Sequence, residues 1–86
     1  MNYFVYILRS LKEGSFYIGY TDNLDRRLEE HNLGKSRYTK KKKPWEIFYF
    51  EIFRSKREAL KREKFLKKQK NTSFYMKLKD RSSLVR

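Results

Sequence analysis

Tyr17-Ile18-Gly19 is followed by Arg27 eight residues after the glycine and by His31 twelve after it. Upstream stands Val5-Tyr6-Ile7, and downstream a lone Glu63 falls on the helical stripe 59, 60, 63, 66 and 67. An arginine fork matches a phosphate bidentately. A histidine moves a proton near neutral pH. A tyrosine phenol orients a water, or deprotonates it if Arg, Lys or a metal lowers its ordinary pKa of about 10. Tyr6, Tyr17, Arg27, His31 and Glu63 together have the chemistry to hold and cut a phosphodiester. One carboxylate is too few for a two-metal clamp. It suits a single Mg2+, with Mn2+ as substitute, that keeps several waters and completes its shell from substrate phosphate.

Each residue also has a plainer reading. Strand tyrosines are usually core edges with a solvated hydroxyl. Arg27 is by default one of many surface cations, and only its place one turn from a strand end lifts it. Its neighbour Arg26 faces elsewhere. His31 reads equally well as a helix-end histidine favoured by the dipole. A carboxylate on an apolar stripe is costly unless a cation meets it. The residues alone leave two readings of Glu63 open: a metal ligand, or a boundary glutamate snorkelling to a lysine.

These side chains need elements to position them. Residues 2–9 are aromatic and β-branched on both faces and predict a buried strand. Residues 10–15 read as a turn and 16–20 as a second strand, so the pair forms an antiparallel hairpin. Gly19, near its end, marks close backbone approach. Thr21-Asp22 offers capping oxygens, and Asn32 and Gly34 a stop, for a helix over 22–32. That places Arg27 and His31 on one side of it. Residues 45–53 predict a third, strongly aromatic strand. Ser55 and Glu58 form a capping-box pattern that opens a helix over 55–70, with Ala59, Leu60 and Leu66 inward. Phe74, Tyr75, Met76 and Leu78 would dock a short C-terminal helix, followed by a frayed tail. The expected fold is α+β, a small three-stranded antiparallel sheet flanked by helices, in the order β-β-α-β-α. Residues 1–80 make one domain, and 81–86 the tail.

The chain has 86 residues, 23 Lys+Arg against 10 Asp+Glu, and a net charge of +13. Solubility alone needs a net charge of only about 2–8 in a small domain, so the excess favours a polyanion partner. The loop 34–44 concentrates it: Lys35, Arg37, Lys40, Lys41, Lys42 and Lys43 with no acid, beside Tyr38 and Thr39. Contact with a nucleic-acid backbone is the better reading of this loop, with Tyr38 stacking on a base. No signal for sequence specificity is present. The chain has no cysteine and one histidine, which excludes disulfides and multi-histidine metal sites. No apolar run is long enough to span a bilayer, no signal peptide is recognisable, and no segment is a basic helix with a Trp/Leu face. A cytoplasmic protein is expected, with no membrane partner.

Val5-Tyr6-Ile7, Tyr17-Ile18-Gly19, Arg27, His31, Gly34 to Thr39, Pro44-Trp45 and the Ala59, Arg62-Glu63, Leu66-Lys67 pattern resemble the GIY-YIG nuclease family. They are most similar to its short single-domain bacterial branch. The resemblance covers about residues 3–70. It implies a three-stranded antiparallel sheet flanked by helices and metal-dependent hydrolysis of DNA. Relatives include homing endonucleases, restriction enzymes and the excision-repair incision subunit. It implies that Tyr6 and Tyr17 are the two motif tyrosines, Arg27 the helix arginine and Glu63 the metal ligand, with His31 at a place where histidine is often found. The preferred base is Tyr6 or a water near it. Phe4 stands where the first motif has glycine. The family's C-terminal asparagine has no secure match, Asn71 being the nearest. Members usually carry a second DNA-binding domain, which is not visible here. Intrinsic cleavage is therefore expected to be weak, structure-selective or dependent on a protein partner supplying specificity. Two rival expectations are a catalytically idle nucleic-acid-binding module and a basic accessory protein of a ribonucleoprotein.

Overall fold

In a computed structural model, residues 2–85 are described. Strands β1 (Tyr3–Ser10) and β2 (Phe16–Thr21) lead into helix α1 (Leu24–Asn32). A loop with a 3-10 turn at Lys40–Lys42 leads to β3 (Trp45–Phe53), α2 (Lys56–Gln69) and α3 (Thr72–Val85). The sheet is antiparallel with order β2-β1-β3, so β1 is the central strand. This is the α+β architecture expected.

β1 explains both layers. Val5, Tyr6, Ile7 and Leu8 are all buried. Alternation sends Val5 and Ile7 to one face and Tyr6 and Leu8 to the other. The first face, with Ile18 and Phe48, is covered by Ala59 and Leu66 of α2 and Tyr75 of α3. The second, with Trp45 and Ile47, is covered by Leu24 and Leu28 of α1. The β1–β3 register slips between Ile7 and Leu8, whose partners are Tyr49 and Ile47. Phe48 is the extra residue, and the bulge turns Phe48 and Tyr49 together toward the first face.

Several expectations need correction. The α1 cap is Asn23, whose side chain accepts from the Arg26 amide, in place of Thr21 or Asp22. Thr21 instead accepts from the Asn23 amide at 3.1 Å, shaping the entry turn. Ser55 does cap α2, accepting from the Glu58 amide at 3.2 Å. Leu60 is not inward but 39% exposed, because only the narrow stripe through Ala59, Glu63 and Leu66 meets the sheet. The third helix is longer than expected, and Met76 on it is exposed while Tyr75 is buried. Its backbone is helical as far as Val85, into the stretch expected as a tail. The side chains of 81–86, and Arg86 as a whole, lie outside the described residues.

Candidate active site

The second face of the sheet carries a line of hydrogen bonds. Tyr6 Oη accepts from Arg27 Nε at 3.4 Å and shares a hydrogen bond with His31 Nε2 at 3.1 Å. His31 Nδ1 is bonded to Thr39 Oγ1 at 2.7 Å. Arg27 and His31 therefore do share one side of α1, and both meet the same phenol. Tyr17 packs its ring against His31, with centroids 5.1 Å apart, and against Tyr6 at 6.5 Å. Tyr6 is 1% exposed and His31 0%. Tyr17 is half-buried and forms the accessible lip.

Gly19 is the cross-strand partner of Tyr6. A Cβ there would stand 2.5 Å from Tyr6 Oη and 2.7 Å from Cζ. The close approach expected of this glycine is thus between its own strand and the Tyr6 phenol. The phenol lies across β2 because nothing projects from residue 19.

Burial pushes the Tyr6 phenol up to about 12; the Arg27 hydrogen bond and charge offset only part of this, and Tyr17 and Glu63 add to it. A base with a lowered pKa, the requirement derived from the sequence, is not what the protein alone provides. Burial, then the Arg27 charge, pushes His31 down to about 4, with Glu30 opposing. His31 is therefore neutral at physiological pH, and a dipole-favoured cation at the helix end is excluded. Desolvation works against the Arg27 charge, but its bonds to Tyr6 and Glu30 win and raise its pKa. The Arg27–Glu30 pair is 3.0 Å long.

Glu63 comes from α2. Its side chain is 14% exposed and pairs with Lys67 at 3.0 Å. Behind the sheet Arg62 forks onto Glu51 at 2.8 and 3.0 Å, and Tyr49 donates to the same carboxylate at 2.6 Å. This clamp ties α2 to β3 one residue before Glu63. Among the described residues no group of three or more His, Cys, Asp and Glu could hold a metal. Glu63 is a single hard oxygen donor of the type Mg2+ takes, and in this structure its carboxylate is held by Lys67.

The basic loop divides. Arg37, Tyr38, Lys40 and Lys41 are exposed and line a shallow depression. Lys35 and Lys43 are also exposed. Thr39 is 0% exposed, so its expected contact with nucleic acid is overturned. Its hydroxyl holds His31, and its carbonyl accepts from Trp45 Nε1 at 3.0 Å. Lys42 is half-buried, pairing with Glu13 at 3.4 Å, and its carbonyl accepts from Ser10 Oγ at 2.5 Å. These anchors pin the loop to the β1–β2 hairpin.

Sequence reasoning missed Asn32, Glu30 and the role of Thr39. The Asn32 amide donates to the Trp45 carbonyl at 3.0 Å and accepts from its amide at 2.6 Å, a side-chain substitute for a strand pair. Nothing local distinguishes that from a helix stop. Asn71 accepts from the Phe74 amide at 3.3 Å and caps α3.

A family model described as the GIY-YIG catalytic domain matches residues 2–79. A UPF0213 protein of Bacillus licheniformis is 40% identical over 86 aligned residues, covering 96% of this chain and 88% of that one. A UPF0213 protein of Clostridium perfringens is 48% identical over 69 residues, covering 79% and 72%. The UPF0213 protein YazA of Bacillus subtilis is 39% identical over 84 residues, covering 94% and 84%. The solution NMR structure of a UPF0213 protein from Bacillus halodurans is similar over 78% of this chain and 71% of that one, at 43% identity and a TM-score of 0.47.

Proposed function

This chain belongs to the GIY-YIG family, among the short UPF0213 proteins, and we propose that it is a metal-dependent endonuclease that hydrolyses DNA phosphodiester bonds. The observation that carries the reading is the convergence of Arg27, His31 and Tyr17 on the buried Tyr6 phenol. Three separate elements deliver chemically active side chains to one point, where an apolar core would have been simpler to build.

Arg27 and Tyr17 form the accessible lip that receives the phosphate. Arg27 spends Nε on Tyr6 and Nη1 on Glu30. Its Nη2 has no hydrogen bond among the described residues and can donate to a non-bridging oxygen. Tyr6 lies behind this lip, between the phosphate position and His31. Its hydroxyl can take a proton from an attacking water while passing its own to His31 Nε2, provided Nδ1 carries the proton directed at Thr39. The water loses one proton, His31 gains one, and Tyr6 ends as it began. Phosphate bound on Arg27 would cancel part of the positive field that holds His31 low, and so raise its affinity for that proton. Glu63 would hold one Mg2+, which when bound supplies charge stabilisation at the phosphate and the leaving 3′ oxygen.

The reading as an idle nucleic-acid-binding module rests on the Lys67–Glu63 pair, which is also what a structural glutamate would form. A nicking assay separates the two. Supercoiled, branched and single-stranded DNA are incubated with Mg2+ or Mn2+, and with excess EDTA as control. Cleavage that requires metal supports the nuclease. Tight binding without cleavage on every substrate supports the module. A substrate within the cytoplasm and a partner protein supplying specificity complete the proposal. No helix among the described residues is long and apolar enough to cross a membrane.

A further inference from the structure

A groove of about 740 Å³ runs along the outer side of β2, and the lip residue Tyr17 is the part of the candidate active site that lines it. β2 is an edge strand, so the backbone of residues 14–18 on that side has no neighbouring strand. Phe16 and Tyr75 form an apolar floor, their ring centroids 5.7 Å apart. Tyr75 is fixed there by donating to the Leu66 carbonyl at 2.8 Å. One wall is Tyr38, whose ring lies 5.8 Å from Tyr17 yet is 70% exposed. The opposite wall holds Lys67 and Lys70, and among the described residues no acidic side chain lines the groove.

Resting on the nuclease reading of the adjoining site, we infer that this groove is a subsite for the nucleotide next to the scissile phosphate, with its base on Tyr38 and its phosphate on Lys70. Four observations converge. The groove has the apolar floor and aromatic wall that a base face needs. Among the described residues, the charged side chains that line it are both lysines. It adjoins the candidate active site through Tyr17, which packs on Tyr6. Lys70 caps α2 with φ 44°, in the left-handed region where glycine is the usual occupant. A side chain is kept there at a cost in backbone strain, and it is a cation facing the groove.

The test is fluorescence anisotropy in EDTA, where no cleavage competes, on a dye-labelled oligothymidylate and an abasic strand of the same length. The wild type should prefer the base-bearing strand. Tyr38→Ala should weaken that strand by about tenfold, within the range for one stacked base, and leave the abasic strand unchanged. Lys70→Ala should weaken both strands alike. Tyr38→Phe should behave as wild type, showing that the ring rather than the hydroxyl matters. In parallel, thymidine 5′-monophosphate should shift the amide resonances of Gly14, Ile18 and Asn71. Equal losses on the two strands, or shifts confined to Arg37, Lys40 and Lys41, would overturn the subsite and leave a backbone-binding surface only. The outcome is separable from that of the nuclease reading. Base selectivity without metal-dependent nicking supports the groove and removes the nuclease. Nicking without base selectivity removes the groove alone.

Discussion

Gly19 exists beneath Tyr6: a methyl group at residue 19 would stand 2.5 Å from the phenol oxygen. Gly19→Ala should therefore push the Tyr6 ring off β2 and break its bonds to His31 and Arg27. Overpacking of this kind costs about 1–3 kcal/mol. Cleavage should fall by more than the stability loss explains, because the folded fraction still lacks the aligned phenol. Urea denaturation beside single-turnover cleavage measures both. The Gly19→Ala and Tyr6→Leu pair should be strongly non-additive in stability, since removing the ring removes the clash. Additive losses would place the strain elsewhere.

Arg27→Ala should lower the cleavage rate on the order of 10²–10³, the usual cost of one lost electrostatic contact to a transition state. The residue is half-buried and tied to Tyr6 and Glu30, so a modest stability loss is also expected. Arg27→Lys should restore charge but not the fork, and recover little of the rate. An unchanged rate in Arg27→Ala ends the assignment.

His31 makes stability depend on pH. Its folded pKa lies near 4, against an ordinary value of 6.5. As pH falls through that window the unfolded chain takes up a proton at His31 and the folded chain does not. Stability should therefore drop on acidification, by about 3 kcal/mol at most over the whole window. His31→Gln should be less stable at neutral pH, with its buried partners Tyr6 and Thr39 poorly matched, yet lose less on going to pH about 5. Parallel slopes for the two proteins would mean that the folded histidine titrates normally.

The parts of this fold that were legible are those written in local pattern. The short apolar run in β1, rich in aromatic and β-branched residues, reads as a strand covered on both faces, and the helical spacing of Arg27 and His31 put them on one side of α1. What stayed hidden depends on distant contacts. Thr39 sits inside a basic run and looked like a phosphate contact. It is buried because the loop folds back, with Ser10 and Lys12 donating to the Lys42 and Lys41 carbonyls. Leu60 looked inward because a helical stripe drawn from sequence has no fixed width. The raised pKa of Tyr6 follows from burial behind Tyr17 and Gly19, which no spacing encodes.

That division of the loop makes a prediction about salt. Lys40 and Lys41 are exposed, whereas Lys42 is committed to Glu13. Each lost phosphate contact should flatten the slope of log K against log salt by about 0.9 on duplex DNA. Lys40→Ser and Lys41→Ser should each do so, and weaken all sequences alike. Lys42→Ser should change the slope less and stability more. A slope unmoved by Lys40→Ser with Lys41→Ser would mean that the loop faces away from the nucleic acid.

Glu63 decides between enzyme and binding module. Its carboxylate is mostly shielded, and its one partner among the described residues is an exposed lysine four residues on. Such helical pairs are worth about 0.3–0.5 kcal/mol, less than the cost of holding a mostly shielded charge beside the apolar stripe. Glu63→Gln should thus hold stability level or raise it and leave DNA binding intact, while abolishing cleavage. Mg2+ should raise the melting temperature of the wild type and not of the variant, because only the wild type gains ligand-linked free energy. A structural glutamate gives the reverse pattern: cleavage kept, and melting curves blind to Mg2+ in both proteins. Thermal melts of the two proteins with and without Mg2+, beside one cleavage assay, distinguish the cases. A fully active Glu63→Gln protein removes the metal ligand from α2.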